Sequence, residues 1–140
     1  MNKESMNPKL LRMLNVILCL VSLLYGSLAS HPIPGEGKST PWQIFHNSLH
    51  IPCYALLTFL LVRYFTAVPS DTRSGKVGMV TRGDLVAAGL IALGYGILME
   101  ILQGLTPDRT PSLMDVGLNA LGVGIVAWAY YRIRLLGLKV

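Results

Sequence analysis

A chain of 140 residues has the length of one domain, yet 52% of it is hydrophobic, only 14% is charged and its mean hydropathy is +0.52, which excludes an ordinary soluble domain of this size. The net charge of +5 would, in a soluble protein, raise nucleic acid as a partner. The 12 Lys and Arg instead stand between apolar runs rather than in a patch interleaved with aromatics, a distribution that fits membrane topology and excludes nucleic-acid binding.

The first apolar run, Leu10 to Ala29, is interrupted only by Arg12 and Asn15. Its roughly 20 residues, at about 1.5 Å each, cross a hydrocarbon core of about 30 Å. Two readings stay open. A retained anchor is favoured by the length of the run; a secretory signal would use Lys3, Lys9 and Arg12 as its basic region and Ser27-Leu28-Ala29 as its cleavage site. A lipoprotein reading fails because Leu18 precedes Cys19 where a small residue is needed. Cys19 and Cys53 both lie inside apolar runs, without CxxC pairing or metal-ligand spacing, and read as inert thiols. No metal and no cofactor is expected.

Residues 30–43 read as an exposed loop in which Thr40-Pro41 can start a helix and Trp42 anchors at the interface. A second span is expected from Ile44 to Val62, with His46, His50 and Pro52 in its first half. Pro52 inside it would remove the usual partner of the Ser48 carbonyl and bend the chain beside His50. After a polar loop carrying Arg73, Lys76 and Arg82, Asp84 stands where a third helix begins. That span, Leu85 to Leu105, repeats small residues every four positions, Ala88, Ala92 and Gly96, leading to Glu100 on the same face. Such a ladder lets helices approach closely in lipid, which puts Glu100 into a protein interface. The fourth span runs from about Leu113 to Tyr131, with Gly117, Ala120, Gly122 and Gly124 again permitting close packing. Trp128, Tyr130 and Tyr131 precede a tail with Arg132, Arg134 and Lys139.

These elements make an all-α integral membrane four-helix bundle. Residues 1–43 hold the N-terminus, first helix and outer loop, 44–131 the main transmembrane domain and 132–140 a basic tail. All Lys and Arg except Lys38 and Arg109 fall on one side of the predicted spans. The bias places both termini in the cytoplasm of a multi-pass protein of the cell inner (cytoplasmic) membrane and the turn after Glu100 on the extracytoplasmic side.

That turn carries most of the chemistry. Glu100 and Gln103 share a helix face before it, and Asp115 and Asn119 share one after it. The linking stretch LTPDRT supplies one cation, Arg109. Glu100 lies roughly 7–8 Å inside its span, where an ionised carboxylate facing lipid would cost up to about 3 kcal/mol. Pairing with Arg109 would offset that cost either as a structural salt bridge or as part of a functional site. Ser112 and Asp115 are spaced as a capping box. Asn119, too deep for a cap, should hydrogen-bond across helices, and Gln103 could do likewise. His50 and Tyr54 share a face, and a single His on an apolar helix is most often a hydrogen-bonded core residue. His31 and His46 carry no assigned chemistry.

Together, His50-x-x-x-Tyr54, Glu100-x-x-Gln103, Arg109 and Asp115-x-x-x-Asn119-x-x-Gly122 resemble the VanZ-like family of small bacterial membrane proteins, over about residues 44–131. The third and fourth spans carry the close part of the resemblance. The second departs from it, with His46 and Asn47 where the family often has an Asp-Lys pair. The resemblance implies a multi-span helical protein of the cell envelope whose family founder is associated with low-level teicoplanin resistance. It implies no catalytic mechanism.

Three functions follow as expectations. In the first, the outer cluster binds a polar or anionic group of an envelope component, a lipid headgroup or lipid-linked glycan, with Arg109 on the anion and His50, Tyr54, Gln103, Asp115 and Asn119 as further contacts. In the second, Glu100 and His50 form the acid-base pair of an enzyme acting on a lipid-linked substrate, though no nucleophile motif, metal triad or phosphate-binding glycine loop accompanies them. In the third, the small-residue faces around Gly96 and Gly122 serve assembly with another membrane protein or a second copy. Membrane lipids are partners in all three.

Overall fold

The computed structural model describes residues 7–29, 47–66, 80–106 and 111–136. They form four helices, α1 (Pro8–Ala29), α2 (His50–Phe65), α3 (Arg82–Gly104) and α4 (Leu113–Leu135), and no strand. The protein is therefore the all-α bundle that its composition predicts. Three stretches, Pro8–Leu28, Arg82–Gly104 and Leu113–Leu135, are long and apolar enough to cross a membrane.

The second span is interrupted near its start. Helix α2 has 16 residues and starts at His50, after a turn at Leu49; residues 44–46 lie outside the described part. Asn47 and Ser48 are helical as well, Leu49 keeps right-handed helical angles (φ −65°, ψ −21°) and its carbonyl accepts from the Cys53 N–H at 3.1 Å. Pro52 has no N–H to add to the ladder, so the regular pattern is interrupted at Leu49 while the chain keeps its helical path. Helix α3 starts three residues earlier than the apolar run, because Thr81 and Asp84 close a complete capping box. The Thr81 hydroxyl accepts from the Asp84 N–H at 3.1 Å and the Asp84 carboxylate accepts from the Thr81 N–H at 2.8 Å. Helix α4 continues past Tyr131 to Leu135, and the Arg132 guanidinium lies 5.8 Å from the centre of the Trp128 ring.

Although the shortest, α2 is the centre of the bundle. Leu57 and Val62 are wholly inside, and Tyr54, Thr58 and Leu61 are buried with them. Its broadest interface is with α4, and it also packs on α1 and α3; α1 does not reach α4. The buried hydroxyl of Thr58 is satisfied within the helix, donating to the Tyr54 carbonyl at 2.7 Å. The outward faces of α1, α3 and α4 are lined with leucine, isoleucine and aromatic side chains, as a lipid solvent requires.

The α3 ladder lies on the inner face: Ala88, Ala92, Gly96 and Glu100 are all buried. On α4 the small residues divide. Gly122 is pressed against the α2 backbone, whereas Gly117 and Gly124 face open space and Ala120 is exposed, so only Gly122 serves close packing within the chain.

Cross-helix polar contacts fix the direction of each element. Arg12 of α1 donates to the Arg63 and Thr66 carbonyls at 2.8 and 2.7 Å, satisfying the carbonyl end of α2. Higher up, the Tyr95 hydroxyl donates to the Leu20 carbonyl at 2.6 Å, and Gln103 donates to the Ser27 carbonyl at 3.3 Å. Helix α1 therefore lies antiparallel to α2 and parallel to α3, fastened at three levels. Arg12→Gln should loosen the lowest of them, lowering stability by about 0.5–1 kcal/mol, to be read as a small drop in the melting temperature of the detergent-solubilised protein.

The resulting up-down-up-down order gathers the end of α1, the start of α2, the end of α3 and the start of α4 at one end of the bundle. Every described Lys and Arg (Lys9, Arg12, Arg63, Arg82, Arg132 and Arg134) lies at or toward the opposite end. Glu100 and Asp115 belong to the gathered end.

Candidate functional site

At the gathered end, α3 delivers Glu100 and Gln103 to its inner face, and α4 delivers Asp115 and Asn119. Glu100 is only 4% exposed, and its Oε2 accepts from the Ser112 backbone N–H at 2.7 Å. Ser112 is the N-cap of α4, and its hydroxyl accepts from the Asp115 N–H at 3.3 Å. In a complete capping box the Asp115 carboxylate would return to the Ser112 N–H. Here Glu100, from the neighbouring helix, holds that donor instead. Only the hydroxyl half of the box predicted from Ser112 and Asp115 forms, and the Asp115 carboxylate is released from capping. The reason is tertiary: the close α3–α4 approach brings a second carboxylate to the same N–H.

Asn119, 1% exposed, bridges α4 to α2, with its Oδ1 2.9 Å from His50 Nδ1. An amide oxygen only accepts, so in this bond the imidazole Nδ1 is the donor. The His50 ring lies nearly parallel to Tyr54, centroids 6.3 Å apart, one turn along α2. The amide of Asn119 rests on Gly96, where a Cβ would stand 2.7 Å from its Nδ2 and 3.1 Å from Tyr54 Cε1. Gly96 is glycine because the Asn119 and Tyr54 side chains occupy the space that a larger residue would take. Gln103 turns to α1, and its own carbonyl accepts from the Thr106 hydroxyl at 2.6 Å, tightening the end of α3.

Beside this cluster a groove of about 160 Å³ opens between α1, α2 and α3, lined by Ser22, Gly26 and Ser27 of α1, His50 and Tyr54 of α2, and Gln103 of α3. His50 belongs to both places, lining the groove and bonding Asn119. The structure thus assembles Glu100, Asp115, Asn119, His50, Tyr54 and Gln103 at one end. Arg109, His31 and His46 lie outside the described residues, so the Glu100–Arg109 pairing does too. Glu100 and His50 are each bonded to α4, through Ser112 and Asn119. Among the described residues, no three His, Cys, Asp or Glu side chains are placed to hold a metal ion.

The sequence reading gave Ser112 only a capping role and gave the α1 residues no part in the cluster. Ser112 contributes a backbone N–H, which has no side-chain signature, and Ser27 contributes a carbonyl.

No curated protein and no solved structure matches the chain. The model of the VanZ/LLP1 family matches residues 5–136, taking in α1 and all three helices after it. With nearly the whole chain covered and its membrane-length helices in place, the protein belongs to the VanZ/LLP1 family.

Proposed function

We propose that this VanZ-like membrane protein lies in the inner (cytoplasmic) membrane of a bacterial cell envelope, with both termini in the cytoplasm, and binds the polar or anionic head of an amphipathic envelope component. The observation that carries the reading is the adjoining of two features at one end of the bundle: the buried Glu100, Gln103 and Asn119 with half-buried His50, and the groove along α1. Buried ionisable and amide groups in a membrane protein are costly and tend to mark sites that handle a ligand. The groove accepts part of a hydrocarbon chain, and the cluster takes the head. The charge bias between the two ends supports an extracytoplasmic site, where Arg109 supplies hydrogen-bond donors to the polar or anionic head.

If the component is a lipid-linked precursor of the cell wall, its sequestration or presentation alters susceptibility to glycopeptides such as teicoplanin. Glu100→Gln and Arg109→Gln are the test, with membrane abundance and glycopeptide susceptibility measured in the same cells. Normal abundance with altered susceptibility is the expected result. Collapse of both variants would reduce the cluster to a clasp between α3 and α4, and would move any function to the lipid-facing surfaces and an assembly partner.

A further inference from the structure

We infer that the head group taken by this cluster is a neutral polyol, the hydroxyl-bearing ring of a sugar, rather than a phosphate or an ammonium; the inference rests on the binding reading above. Three buried polar atoms in the α3–α4 seam have no hydrogen-bond partner among the described residues: Glu100 Oε1, Asp115 Oδ1 and Asn119 Nδ2. Their residues occupy adjacent turns of the two helices. The Asn119 amide rests on Gly96, Glu100 is one turn beyond Gly96 on α3, and Asp115 is one turn before Asn119 on α4, tied through Ser112 to Glu100. Glu100 and Asn119 are 4% and 1% exposed, so bulk water does not serve them, and a native fold rarely leaves such atoms unmatched. Half-buried Asp115, in the first turn of α4, marks the side from which the seam is reached.

The set is two acceptors and one donor, and each ligand chemistry meets it differently. A phosphate is chiefly an acceptor and keeps at least one negative charge: it could take the Asn119 donor but would set that charge against two carboxylates. An ammonium offers only donors: it would satisfy the carboxylates and confront the Asn119 N–H. A hydroxyl donates and accepts at once. Two adjacent hydroxyls on one sugar ring fill all three demands, donating to Glu100 and Asp115 while one accepts from Asn119. Because His50 bonds Asn119 and also lines the groove, a sugar in the seam and a chain in the groove belong to one molecule, a glycolipid.

The test uses the full-length protein in phosphatidylcholine vesicles, offered in parallel a glucosyl diacylglycerol, a phosphatidic acid and a dialkylammonium lipid with the same chains. Lipid retained through purification is counted by native mass spectrometry. The glucosyl lipid should be retained at least about tenfold over the other two, and Asp115→Asn and Glu100→Gln should each cut that preference about tenfold while leaving the other lipids unchanged. Asp115→Asn guards against a folding failure of the more buried variant. Gly26→Leu, at a position that lines the groove and where a Cβ meets no atom within 4 Å, should lower retention of all three lipids. Displacement by free methyl glucoside would support recognition of the sugar by itself, and failure to displace would support recognition of the lipid-anchored sugar. Equal retention of the three lipids, reduced by Gly26→Leu, would overturn the polyol and leave the lipid site standing; so would a preference for phosphatidic acid. Retention of no lipid at all would overturn both.

Discussion

Gly122→Ala should drive α2 away from α4 and sharply reduce the amount of protein in the membrane. A Cβ at this position would run into the Ile51 carbonyl oxygen and stand 3.0 Å from the Ala55 nitrogen. Both are backbone atoms of the central helix, so no rotamer change relieves the contact. The helices must separate along the broadest interface in the bundle, and the 2.9 Å His50–Asn119 bond spans that same interface. Overpacking of this kind costs about 1–3 kcal/mol, and the strained hydrogen bond between two part-buried groups adds about 1 kcal/mol. The sum is a large share of the roughly 5–15 kcal/mol that holds a typical domain together. Gly117→Ala and Gly124→Ala are the controls, since a Cβ at either meets nothing. Comparing melting temperatures of the three variants in detergent checks the argument, and an unchanged melt for Gly122→Ala would refute the close α2–α4 approach.

That contrast shows where the sequence is legible. The α3 ladder could be read because Ala88, Ala92, Gly96 and Glu100 repeat at the helical period and end in a residue that lipid rejects. The α4 glycines could not be sorted, because a glycine facing lipid and one facing a neighbouring backbone look alike in a string of letters. Pro52, by contrast, could be read, because its missing N–H disturbs a helical ladder wherever it falls, and the interruption at Leu49 comes just ahead of it. At the site, the residue types were visible and their partners were not. Ser112 and Asp115 have the spacing of a local capping box, and local spacing says nothing of Glu100 arriving from the neighbouring helix to take the same N–H. Contacts to carbonyls, such as Tyr95 to Leu20 and Gln103 to Ser27, leave no mark on the accepting residue, so the part α1 plays in the site appears only once the helices are packed.

Glu100→Leu and Glu100→Gln should separate fastening from function. Leucine keeps the bulk of the side chain but removes the acceptor for the Ser112 N–H, undoing the cap that joins α3 to α4. Leaving that donor unmatched costs about 1–3 kcal/mol, and membrane abundance should fall accordingly. Glutamine retains an amide oxygen for the same N–H. It gives up the extra strength of a charged acceptor, about half of the bond, and should therefore keep most of the abundance while losing the carboxylate that the ligand meets. A melting temperature for Gln between those of the native protein and Leu, together with loss of the binding phenotype in both variants, is the expected pattern. If Gln were as unstable as Leu, the charge rather than the acceptor would be what fastens the hairpin. The clasp would then belong to a pairing of Glu100 with Arg109, the only cation between Leu105 and Ser112, and the Ser112 bond would be secondary to it.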